Sequence, residues 1–205
     1  NLTGGVFDLR TSDSLTYSGG SAPVLDNQGT IVRSAHSGVL SMNPQVENSG
    51  VIEVITGTLR LQNNSTTTGT LRIGAGGALE LSTGVHRIAP GASVIGGGRL
   101  RANTQVLVEG GYNITGTTET GSNAARITLA PTATLTALGG LVALNGGELL
   151  LNSGEVVTIP HLRMEGGGVL NGSDAVTVTG VFTWSYGTLR GAGATHIAGD
   201  AIFDS

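Results

Sequence analysis

Asn27-Gln28-Gly29-Thr30-Ile31 returns as Asn48-Ser49-Gly50-Val51-Ile52, with asparagine, glycine and isoleucine each displaced by 21 positions. Internal periods of 20 to 50 residues mark chains built by stacking one supersecondary unit on the next. Around this echo the sequence keeps producing short words of glycine followed by alternating apolar and polar residues. Gly57-Thr58-Leu59-Arg60-Leu61, Gly69-Thr70-Leu71-Arg72-Ile73 and Gly77-Ala78-Leu79-Glu80-Leu81 are followed by Arg126-Ile127-Thr128-Leu129, Leu162-Arg163-Met164 and Val176-Thr177-Val178. A period of two puts Leu59 and Leu61 on one face of a strand and Arg60 on the other.

Composition narrows what such strands can build. The 205 residues are 39% hydrophobic but only 3% aromatic, so a core must be made of Val, Ile, Leu and Ala. There are 35 glycines and 5 prolines. Interior glycine disfavours a helix by ~1 kcal/mol per position, whereas it suits tight turns. A β-sandwich ordinarily uses longer strands and larger core residues. The reading is all-β: a right-handed parallel β-helix, or β-solenoid, of roughly nine or ten rungs, since one rung takes ~21 residues. At ~4.8 Å per rung the rod is about 45 Å long. No composition shift suggests a linker, so residues 1–205 read as one domain, and a chain opening at Asn1 reads as a piece of a longer protein.

The alternation assigns an inward face to Ile52, Val54, Leu59, Leu61, Leu71, Ile73, Leu79, Leu81, Leu100, Ile127, Leu129, Leu162, Met164, Val176 and Val178. Glu53, Glu80 and Glu148 fall outward, as solvated residues, and Arg60 with them. Gly96-Gly97-Gly98 and Gly166-Gly167-Gly168 are placed at crowded turns.

Asn48-Ser49-Gly50-Val51-Ile52-Glu53-Val54, followed by Thr56-Gly57-Thr58-Leu59-Arg60-Leu61, resembles the repeats of large bacterial surface and secreted adhesins. The segment from Val181 to Thr195, with Trp184 and then Gly187-Thr188-Leu189-Arg190-Gly191-Ala192-Gly193, resembles a unit of the same proteins, and autotransporter passenger domains carry similar Gly-Thr-Leu strands. The resemblance spans about residues 27 to 205. It implies a right-handed β-helix on a bacterial exterior, extracellular or at the cell surface, acting as a stalk or adhesive surface. The partner it implies is a glycan or a host or neighbour-cell surface molecule. It transfers no catalytic residue.

Chemistry-bearing patterns are sparse. Net charge is −4, lysine is absent, and the ten arginines are scattered singly, so no basic stripe for nucleic acid exists. No apolar run of ~18 residues suggests a membrane span. His36, His86, His161 and His196 lack zinc spacing, cysteine is absent, and no cofactor or metal is expected. Calcium turns of the Gly-Gly-x-Gly-x-Asp type are missing, leaving Asp8 with Asp13, and Asp174 after Asn171, as isolated acids. His196, Asp200 and Asp204 would share a face only if a strand ran through Gly199, which argues against it. The binding candidates are Phe182, Trp184 and Tyr186, spaced i, i+2, i+4; on one face they would form an apolar platform for sugar rings, or else close a core. Glycoside hydrolysis needs two facing carboxylates, and the acids here are dispersed. The expectation is therefore a structural or adhesive module and not an enzyme. Its alternative is a carbohydrate-active β-helix that binds, hydrolyses or eliminates on a polysaccharide.

Overall fold

The computed structural model describes residues 1–204. It is all-β, without helix among the described residues, and coils as a parallel β-solenoid of about ten turns. Each turn contributes a strand to each of three faces. The first face begins with Val24–Asn27, Gln45–Asn48, Ser65–Thr67 and Val85–Ile88, and continues through Gln105–Val108, Arg126–Leu129, Glu148–Leu151, Gly168–Gly172 and Gly187–Leu189. The second runs from Val6–Asp8 through Thr30–Arg33 to Thr134–Ala137, breaks, and resumes as Val157–Ile159, Val176–Val178 and Thr195–Ile197. The third runs from Val39–Met42 to Asp200–Phe203.

Every pairing is between parallel strands one turn apart, and the register reproduces the sequence echo: Asn27 pairs with Asn48, Thr30 with Val51 and Ile31 with Ile52. All fifteen residues assigned inward by alternation are buried. They stack in columns, such as Leu40-Leu59-Leu79-Leu100 beside Met42-Leu61-Leu81-Ala102. No rung could bury its inward side chains alone, so cohesion comes from the shared columns and the backbone ladder between rungs.

In two rungs the strands are far longer than the short words of the sequence suggest. Val51–Leu61 and Thr70–Leu81 run without interruption from the second face to the third. Elsewhere that corner varies, from five residues at 34–38 between Thr30–Arg33 and Val39–Met42 to two at 97–98 between Ser93–Gly96 and Arg99–Ala102, and in those rungs the strand ends there.

Glycine shapes the corners by close approach. At Gly50 a Cβ would stand 2.0 Å from the Gly29 carbonyl oxygen, and at Gly69 2.0 Å from that of Gly50. Both keep ordinary backbone angles, so what excludes a side chain is the rung beneath. In the triple glycines the crowding expected of the turns falls on Gly96, Gly98, Gly166 and Gly168, whereas Gly97 and Gly167 have room.

Candidate functional site

The three aromatic candidates do not share a face. The strand Val181–Trp184 ends before Tyr186. Phe182 stacks on Leu162 and Trp184 on Met164, which places both in inward columns. Phe182 is 2% exposed, and its ring centroid lies 5.9 Å from that of Trp184. Phe203, from the next rung, joins them at 5.6 Å from Trp184 and 6.3 Å from Phe182. These rings close the last turns of the core. Tyr186 alone points outward, 71% exposed. A single platform of all three would have required the strand to continue two residues further, and the turn into Gly187–Leu189 prevents that.

Tyr186 instead covers Gly167, whose φ of +84° is a left-handed value suited to glycine. The ring's Cε1 lies 3.7 Å from where a Gly167 Cβ would be. Gly167 also lines a shallow depression of about 370 Å³ on the first face, together with Arg126, Glu148, Arg190, Gln105 and Asn123. Arg126 pairs in register with Glu148 one rung on, while Arg190 reaches back across two rungs. The Glu148 Oε1 accepts from Arg190 Nη2 at 2.7 Å and from Asn171 Nδ2 at 2.6 Å. Its Oε2 faces Arg126 Nε at 3.0 Å. Partial burial works to raise the Glu148 pKa, but the hydrogen bonds from Arg190 and Asn171 and the charges of Arg126 and Arg190 outweigh it. The carboxyl therefore sits below its ordinary value.

Glu148 thus belongs to a wider pattern that its reading as a solvated residue missed. All the arginines except Arg33 lie within 4.0 Å of a carboxylate. On the third face Arg60, Glu80, Arg101 and Glu119 follow one another up a single outward column. Glu80 is buried there, bonded by Arg60 at 3.1 Å and by Asn103 at 2.6 Å. Rungs lie only ~4.8 Å apart, so long side chains from adjacent rungs cover each other's charges. Arg33 is buried without a carboxylate and donates to the carbonyls of Leu9, Thr11 and Gly38, and burial pushes its pKa down.

Among the histidines, His86 is fully buried in the column Val46-Ser65-His86-Val106, with Nδ1 2.7 Å from Ser65 Oγ. Burial lowers its pKa from 6.5 to about 4, despite a raising backbone hydrogen bond with Thr83. Parity could have found it: Ile88 points inward, so His86 must as well. His196 and Asp200 lie on separate strands of different faces, parted at Gly199. Asp174 serves a turn, accepting from Ser153 N and Oγ, both at 2.7 Å, and from Gly154 N at 2.9 Å. Asp8 accepts from Ser34 and Asp13 from Thr11. Among the described residues no group of three or more His, Cys, Asp or Glu is placed to hold a metal, and no helix is long and apolar enough to cross a membrane. No family model, no curated protein and no solved structure matches the chain.

Proposed function

We propose that the chain is a structural and adhesive module of a bacterial cell-surface or secreted protein: a rigid β-helical stalk whose sides present a binding surface. The observation that carries the stalk half is the continuity of its bracing along the axis. Inward columns pass from rung to rung, and ion pairs join neighbouring rungs outside them. An exposed ion pair contributes only ~0–1 kcal/mol, but the pairs that join one rung to the next resist bending between them. The resemblance of the Gly-Thr-Leu words to adhesin and autotransporter repeats supports the extracellular half.

The carbohydrate-active alternative divides into binding and cleavage. Hydrolysis needs a second carboxylate within ~5–10 Å across the scissile bond. Glu148 is the acid that lines its depression, and both its oxygens are already engaged by arginines and Asn171. That geometry favours binding. Displaying the chain on a non-adherent bacterium, through a generic anchor, tests the adhesive role. Greater retention on glycan-coated or host-cell surfaces than with an unrelated rod of equal length is the expected result. Equal retention would overturn it.

A further inference from the structure

The depression around Glu148 has a construction that rung bracing does not account for. One acid is shared by two arginines from different rungs, which leaves the patch locally positive on a chain whose net charge is −4. Each guanidinium carries five N–H donors, and the contacts with Glu148 occupy one on each arginine. The arginine side chains are 48% and 55% exposed, so the remaining donors face solvent. Glu148 fixes both guanidinium groups in place, and a fork held in advance loses less freedom when it meets a planar anion. At the edge of the depression the exposed ring of Tyr186 covers Gly167, which is one of its lining residues. The side-chain amides of Gln105 and Asn123 complete the rim.

From this we propose that the depression is a binding site for a carboxylate-bearing sugar, a uronate residue within an acidic polysaccharide. The sugar carboxylate meets Arg126 and Arg190, which recognise a planar carboxylate through paired N–H donors. The apolar face of the ring lies against Tyr186, and the amides take hydroxyl groups. The volume of about 370 Å³ suits one sugar ring, and its open sides let a chain continue. This deepens the adhesive reading by naming a ligand class, and the stalk reading stands without it.

Calorimetric titration of the whole chain with a short oligogalacturonate, and with its carboxyl-reduced neutral counterpart, tests the proposal. Saturable binding of the acidic oligomer alone is expected. Arg190→Gln should weaken it about tenfold or more, since a hydrogen bond to a charged group is worth ~1.5–3 kcal/mol. Tyr186→Ala should weaken it several-fold through lost stacking, with a melting curve like that of the parent. Arg72→Gln makes the same change of charge at the Glu53 pair on the second face and should leave binding intact. Equal binding of the neutral oligomer, equal loss with Arg72→Gln, or no saturable binding would each overturn the site. Retention of displaying cells on other glycans would then show that the adhesive reading survives without it.

Discussion

Asn27 and Asn48 are stacked one above the other inside the rod, the Nδ2 of Asn27 donating to the Oδ1 of Asn48 at 2.7 Å. Asn1 donates in turn to the Oδ1 of Asn27 at 2.7 Å, so three rungs share one amide ladder. Asn27 also donates to the Val51 carbonyl at 3.0 Å. Asn48→Ala removes the nearest acceptor and leaves the buried Asn27 amide only its longer contacts with the Val51 and Gly29 carbonyls. Chemical denaturation should show a loss of about 1–3 kcal/mol. Asn48→Asp should lose more at neutral pH, because it buries a charge in the same place.

The register can be read from neighbours on opposite faces. Leu61 is 1% exposed within the column of Met42 and Leu81, so Leu61→Ala should lose ~2–5 kcal/mol by leaving a cavity. From the sequence alone Arg60 reads as an ordinary surface residue, whose loss would stay within ~0.5 kcal/mol. Its bond to the buried Glu80 raises that to about 1 kcal/mol, since Glu80 loses one of its donors. Equal losses from the two variants would show the face assignment to be wrong.

His86 sets an acid limit on stability. Its folded pKa of about 4 lies below the ordinary 6.5, so between these values the unfolded chain binds the proton more readily. The contribution is complete above pH 6.5, falls progressively as pH drops toward 4, and amounts to about 3 kcal/mol at 1.36 kcal/mol per pKa unit. Denaturation midpoints measured across this window should fall with acidity in the parent chain. In His86→Gln they should fall less there.

The rung beneath fixes where side chains are tolerated. Gly50→Ala forces a methyl group against the Gly29 carbonyl and should destabilise by about 1–3 kcal/mol or more. At Gly97 the nearest atom is 3.6 Å from a Cβ, and Gly97→Ala should stay within ~0.5 kcal/mol. Paired melting curves of the two variants check this.

Much of the fold was legible because a parallel stack makes sequence period and spatial register the same thing. The 21-residue spacing of Asn27 and Asn48 is a contact, and the parity of Leu59 and Leu61 is a burial pattern. What alternation could not supply were relations between rungs whose spacing varies. Thr30 to Val51 is 21 residues, Val51 to Thr70 is 19, and Thr70 to Ser93 is 23. These shifts hid the pairing of Arg60 with Glu80 and the convergence of Arg126 and Arg190 on Glu148. Tyr186 was misplaced for a related reason: alternation carries no sign of where a strand stops, and this one stops at Trp184.

The claim on which the stalk reading rests is that the turns form one rigid rod, and a distance between its ends tests that most directly. Val24 and Thr188 are both exposed and occupy the same outward column of the first face, at opposite ends of its nine strands. The chain has no cysteine, so Val24→Cys with Thr188→Cys takes spin labels at those positions alone. Eight steps of ~4.8 Å put the two backbones about 38 Å apart. Pulsed dipolar spectroscopy should give a single narrow distribution near that value, widened only by the label arms and unchanged in moderate salt. A broad distribution, or one with a second, shorter population, would mean that the stack bends or breaks and would contradict the rod.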